Sequence, residues 1–267
     1  MLISWPPEKT RGYFVFSLAL IPSYRTVQGN LTTMTKAALV TGGSRGIGRA
    51  TAETLVKSGY QVFITSRQPA DIPGCTSIVA DMSTPSAAEN VIDQIEGAGF
   101  VLDVVVANAG ISKELLLIRT AEADIDQMIQ VNLTGNILLA RRAAKSLMKN
   151  RHGSIIFVGS VLGMSGSTGS SVYASTKSGL IGLTRSLARE LGPRNVTVNL
   201  VAPGYVNTDM TKDLPKEFKD VVVSQTPLGR IAEPSEIAEL VAFLASEKAR
   251  YITGAIIPVD GGLGMGN

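Results

Sequence analysis

Apolar residues in this chain fall into short unbroken runs, separated by longer stretches in which they recur every three or four positions. Residues 37–40, 61–65, 101–107, 154–158, 196–201 and 255–259 are runs of the first kind, and 77–80 is a shorter one that ends at Asp81. Runs of this length predict strands, and the near absence of polar alternation predicts strands buried on both faces of a parallel sheet. The helical period predicts a helix from the glycines after the first strand, then helices over 85–96, 121–148 with a break near Gln130, 171–191 and 236–246. Gly192 and Pro193 close the fourth of these. Strands alternating with helices predict an α/β fold: a single-domain, Rossmann-like, doubly wound parallel sheet with helices on both faces.

Composition narrows the function. A chain of 267 residues, 45% hydrophobic, is long enough for one sizeable domain. The net charge of +3 is too small to argue for nucleic acid, and no stripe of basic residues alternates with aromatics. Cys75 is the only cysteine and His152 the only histidine, so an internal disulfide and a cysteine or histidine metal cluster are excluded. His152 stands in a polar turn, 149–153, between a helix and a strand. Residues 1–33 differ from the rest. Their apolar run, 13–21, follows Lys9 and Arg11, is too short to span a membrane and lacks a small-x-small cleavage site. The reductase-like domain is expected over 34–267, with 1–33 as an extension, disordered or a non-native start, and the protein is expected in the cytoplasm.

The first strand runs into Thr41-Gly42-Gly43-Ser44-Arg45-Gly46-Ile47-Gly48 and then a helix. Glycines let backbone N–H groups approach a pyrophosphate, and the helix N-terminus adds partial positive charge. In an NAD site an acid ends the second strand and bonds the ribose 2′-hydroxyl. Here Ser66 and Arg67 stand there, with no acid before Asp71. Arg45 and Arg67 match a 2′-phosphate and favour NADP(H); the plain alternative is a pair of solvated arginines.

Tyr173 and Lys177 are four residues apart, one helical turn, in the stretch that follows Ser160. An ammonium beside a phenol favours the phenolate, so the pair suits proton transfer near neutral pH. The alternative is an ordinary packing pair. Ligands of doubly wound sheets bind beyond the carboxyl ends of the strands, and Gly42, Arg67, Asp81, Asn108, Ser160 and Pro203 all fall there.

Thr41-Gly42-x3-Gly46-x-Gly48, Asn108-Ala109-Gly110, Asn132, Ser160, Tyr173-x3-Lys177 and Pro203-Gly204 together resemble the short-chain dehydrogenase/reductase family over roughly 34–267. Within it the chain is most similar to the bacterial reductases of 3-oxoacyl-[acyl-carrier-protein], through 131–135, 201–210 and 251–254, and its ending looks like their actinobacterial long-chain branch. The resemblance implies an NADPH-dependent reduction of a 3-oxoacyl thioester in fatty-acid synthesis or elongation. Other members act on sugar, polyol, quinone or steroid-type alcohols. It implies Tyr173 as proton donor, Lys177 as its partner and ribose ligand, Ser160 as carbonyl polariser, and Asn132 as a water-positioning link in a proton relay. Asp81 and Met82 would meet adenine. Asn108, Ala109 and Gly110 would flank the adenosine ribose, and Pro203, Gly204, Val206 and Thr208 the nicotinamide. It also implies a homotetramer.

Residues 204–223 suggest a substrate lid or a plain surface helix and loop, and 112–119 a second wall whose Leu115–Ile118 run would line an acyl pocket or join the core. Arg141, Arg142, Lys145, Lys149 and Arg151 recur along one helix and its exit. They would steer an acidic acyl carrier protein, or simply form a solvated face.

Overall fold

The computed structural model describes residues 36–212 and 214–265. The expected extension over 1–33 lies outside the described residues. Seven strands form one parallel sheet in the order β3-β2-β1-β4-β5-β6-β7. They are β1 Lys36–Val40, β2 Gln61–Ser66, β3 Cys75–Val79, β4 Val101–Ala107, β5 Gly153–Val158, β6 Val196–Pro203 and β7 Ile256–Val259. The helices are α1 Gly46–Lys57, α2 Ala87–Gly97, α3 Glu122–Ile129, α4 Gly135–Asn150, α5 Leu162–Ser165, α6 Ser171–Leu191, α7 Lys216–Gln225 and α8 Pro234–Ala245.

The unbroken apolar runs serve two cores. In β1, Ala37 and Leu39 pack into the core shared with α2, α4 and α6, while Ala38 and Val40 pack into the one shared with α1 and α8. β5 divides in the same way, Ile155 and Phe157 against Ile156 and Val158. Successive side chains of a strand point to opposite faces, so a strand covered on both sides must be apolar at every position. Chain order reverses between β1 and β4, which opens a crevice above their carboxyl ends.

The expected break near Gln130 is a single π-helical turn, Gln130–Thr134, between α3 and α4. α8 starts two residues before its expected position. Pro234 fits the first helical turn, and Glu233 and Glu236 form a reciprocal capping box.

Arg142 corrects one expectation. It is 8% exposed and does not belong to a basic surface. Its Nη2 donates to Asp93 Oδ1 at 2.6 Å and Glu96 Oε2 at 2.7 Å, and its Nε lies 3.2 Å from Glu89 Oε1. Nη1 donates to Ser146 Oγ at 2.8 Å. The side chain therefore ties α4 to α2. Arg141, Lys145, Lys149 and Arg151 are exposed. His152 sits at the amino ends of the strands, its Nδ1 2.6 Å from Asp103 Oδ1 and its Nε2 2.9 Å from Glu247 Oε1. No helix among the described residues is long and apolar enough to cross a membrane.

Candidate active site

The loop after β1 is shaped by hydrogen bonds from three strands. Thr41 Oγ1 accepts from the N–H groups of Asn108 (3.1 Å) and Ala109 (3.0 Å). Asn108 Nδ2 donates back to the carbonyls of Thr41 (2.8 Å) and Gly42 (3.1 Å), and Gly42 N–H donates to Thr65 Oγ1 at 3.2 Å. Gly42 takes a φ of +64°, a conformation that favours glycine. At Gly48 the constraint is space: an added Cβ would press on the Gly42 carbonyl and lie 2.5 Å from Asn108 Nδ2. The result is a tight turn that leads directly into the N-terminus of α1.

A cleft of about 790 Å³ opens above this turn. It is lined by every residue expected at a dinucleotide: Gly42, Ser44, Arg45, Gly46, Ile47, Gly48, Arg67, Asp81, Met82, Asn108, Ala109, Gly110, Tyr173, Lys177, Pro203, Gly204, Val206 and Thr208. Ser160 lines it as well. Arg67 is exposed at one end, close enough to Asp81 to lower its carboxyl pKa. Larger lowering comes from the Ser83 N–H and then the Ser83 hydroxyl, at 2.9 and 2.8 Å. Arg45 lies 3.6 Å from Asp209 in the segment after β6.

At the other end α6 presents Tyr173 and Lys177 one turn apart. Lys177 is buried, and its Nζ donates to the Val158 carbonyl at 2.8 Å and lies 5.7 Å from the centre of the Tyr173 ring. Burial pushes the Lys177 ammonium down to about 8. The expected near-neutral phenol is not what the protein alone holds. Burial raises the Tyr173 pKa, the Ser160 hydroxyl beside it offsets part of that, and Glu114 raises it again. The phenol is thus kept protonated.

Asn132 does not line the cleft; it lies fully buried behind it, in the π-helical turn. Its Oδ1 accepts from Ile111 N–H at 2.8 Å, and Nδ2 donates to the Ile111 carbonyl at 2.8 Å and to Thr176 Oγ1 at 3.3 Å. Both amide hydrogens are used, so only Oδ1 keeps a free acceptor position. A Cβ placed on Gly110 would lie 3.3 Å from that oxygen and 3.5 Å from Lys177 Nζ, so the two groups border one space.

In the expected lid, Val206 forms an isolated bridge to Ala232, α7 follows, and the Tyr205 and Phe218 rings meet edge to face at 5.6 Å. The second wall, 112–119, contributes Ser112 and Glu114 to the cleft, next to Ile111. Its Leu115–Ile118 run is neither pocket nor core, since Ile118 is 90% exposed and the three leucines also face outward. Sequence reasoning did not single out Glu114, Tyr205 or the anchor Thr65. Their only signal was adjacency: Glu114 to the wall, Tyr205 to Pro203-Gly204, Thr65 to the end of the second strand.

Comparisons with known proteins match nearly the whole described region. A family model described as enoyl-(acyl carrier protein) reductase matches residues 42–264. The 3-oxoacyl-[acyl-carrier-protein] reductase MabA of Mycobacterium tuberculosis is 42% identical over 234 residues, covering 88% of this chain and 95% of its own. The 3-oxoacyl-[acyl-carrier-protein] reductase FabG of Escherichia coli is 42% identical over 238 residues, covering 86% of this chain and 98% of its own. Among solved structures, a gluconate dehydrogenase-like protein of Agrobacterium tumefaciens superposes with a TM-score of 0.84 at 31% identity, covering 87% of this chain and 97% of that one.

Proposed function

Because the chain belongs to the short-chain dehydrogenase/reductase family, oxidoreductases acting on CH–OH groups, we propose that it reduces a 3-oxoacyl thioester to the 3-hydroxyacyl thioester with NADPH. The acyl group is carried on acyl carrier protein or CoA, and the reaction serves fatty-acid synthesis or elongation in the cytoplasm. One observation carries the reading: Ser160, Tyr173 and Lys177 meet in one cleft, in a chain 42% identical almost throughout to relatives named for that reaction.

The cleft fits the dinucleotide on its own chemistry, since the tight turn that brings backbone N–H groups to the N-terminus of α1 would be spoiled by a side chain at Gly48, which would press on the Gly42 carbonyl. Gly42, Ser44, Arg45, Gly46, Ile47 and Gly48 would hold the pyrophosphate, and Arg67 the 2′-phosphate. Asp81 and Met82 would meet adenine, and Asn108, Ala109 and Gly110 the adenosine ribose. Pro203, Gly204, Val206 and Thr208 would face the nicotinamide. The bound dinucleotide supplies the hydride. Tyr173 gives its proton to the carbonyl oxygen, and the Ser160 hydroxyl bonds the same oxygen. Lys177 would hold the nicotinamide ribose and return a proton to Tyr173, resupplied from solvent through a water accepted at the free position of Asn132 Oδ1. The exposed Arg141, Lys145, Lys149 and Arg151 would meet an acidic carrier protein, and the assembly would be a homotetramer. The gluconate dehydrogenase-like neighbour favours a second reading, a sugar, polyol, quinone or steroid-type alcohol as substrate.

Purified protein is expected to oxidise NADPH with short- and long-chain 3-oxoacyl thioesters faster than it oxidises gluconate or other alcohols with NADP⁺. Turnover of gluconate and none of the thioesters would overturn the reading in favour of the second. Arg67→Ala is expected to weaken NADPH by about ten- to a hundred-fold, the value of one charged contact, and NADH far less. Equal losses for the two cofactors, measured by equilibrium binding, would remove the 2′-phosphate role.

A further inference from the structure

Both ends of the cleft carry charge of both signs, but not in the same arrangement. Near the glycine turn Arg45 lies 3.6 Å from Asp209 and Arg67 stands near Asp81, whereas the end at Tyr173 carries the buried Lys177 and an exposed carboxylate, Glu114. Glu114 belongs to the wall that follows β4, and that wall is held from both sides. Leu115 N–H donates to the Gly169 carbonyl at 2.9 Å, which ties it to the loop before α6, and Asn132 clasps Ile111. The adjacent base is engaged elsewhere, since Lys113 Nζ pairs with Asp124 Oδ2 at 2.5 Å. Among the described residues no lysine or arginine pairs with Glu114. Its charge reaches both aromatic hydroxyls at this end: burial raises the phenols of Tyr173 and Tyr205, and Glu114 raises each further.

We propose that Glu114 determines specificity by charge, rejecting ketones and alcohols that carry a carboxylate near the reacting carbon and admitting uncharged ones such as an acyl thioester. Placing a second carboxylate beside an unpaired one is an unfavourable contact built against the wrong substrate. The rejected class includes sugar acids and free 3-oxo acids. The assignment rests on the reductase reading for where the substrate lies.

The test compares acetoacetate with its methyl ester, an anion and a neutral ketone of similar size. Each is titrated calorimetrically into NADP⁺-loaded protein, where no turnover occurs. The wild type is expected to bind the ester about ten-fold more tightly than the anion, as for one partly screened like-charge pair. Glu114→Gln is expected to close most of that gap by gaining the anion, with the ester unchanged. A gap unchanged by the substitution, or equal losses for both ligands, would overturn the assignment. If no thioester is turned over and the Glu114-dependent gap persists, the reductase reading falls and the charge selection stands.

Discussion

Tyr173→Phe is expected to lower the rate of ketone reduction by about 10²–10⁴-fold, the usual contribution of a positioned general acid. The phenylalanine ring keeps the packing of Tyr173 against Lys177 and removes only the proton donor. Dinucleotide affinity should therefore stay near that of the wild type. Single-turnover kinetics beside equilibrium binding of NADPH will separate the two, and retained turnover would remove Tyr173 as the acid. The pH dependence has a definite sign. Burial raises the Tyr173 pKa, so the acid form needed for reduction persists through neutral pH and is lost only on the alkaline side. Lys177, lowered by burial to about 8, loses its proton in the same direction. In the free protein kcat/KM should thus be level through neutral pH and fall above about pH 8, with no acid limb from this pair.

Arg142→Ala is expected to destabilise the protein by about 2–3 kcal/mol, below the 3–5 kcal/mol of a fully buried pair because the three carboxylates are partly exposed. The loss combines an α2–α4 tie with the mutual repulsion of Glu89, Asp93 and Glu96, left without their cation. Arg141→Ala, one residue away and exposed, should change stability little. Denaturant titration of both variants checks the contrast, and equal small effects would return Arg142 to the surface. Burial alone would raise the Glu96 pKa, but the Ser146 hydroxyl and Arg142 outweigh it and leave it lowered. Its contribution is therefore present above the ordinary carboxylate range and is lost as pH falls through the lowered value. The difference between wild type and Arg142→Ala should shrink on acidification.

These two side chains mark what was legible in the chain. Strands buried on both faces have one-dimensional signatures, unbroken apolar runs, so the sheet and most helices could be read directly. Gly42 and Gly48 were legible because a close backbone approach demands glycine wherever it occurs. Arg142 was misread because a basic residue on a helix looks the same whether it faces water or three acids of a helix roughly fifty positions earlier. Tyr173 was found, but its ionisation was misjudged. Spacing reveals a neighbouring ammonium, whereas the depth of burial, which dominates here, is a property of the folded whole. Glu114 carried no periodic or motif signal, and only the folded cleft shows that its neighbour Lys113 is engaged elsewhere. The starts of β3 and α8 moved by two residues because edge pairing with β2 and the Glu233–Glu236 capping box, rather than apolar period, decide where those elements begin.

The π-helical turn at Gln130–Thr134 can be regarded as one surplus residue lodged in an otherwise continuous helix. Each helical residue turns the chain by about 100°, so deleting one residue there would heal the hydrogen-bond ladder while swinging everything before it by that angle relative to α4. Asn132 could not then reach both Ile111 and Thr176. In this segment the most regular backbone and the Asn132 clasp on Ile111 and Thr176 are mutually exclusive, and shortening the chain by a single residue would exchange one for the other.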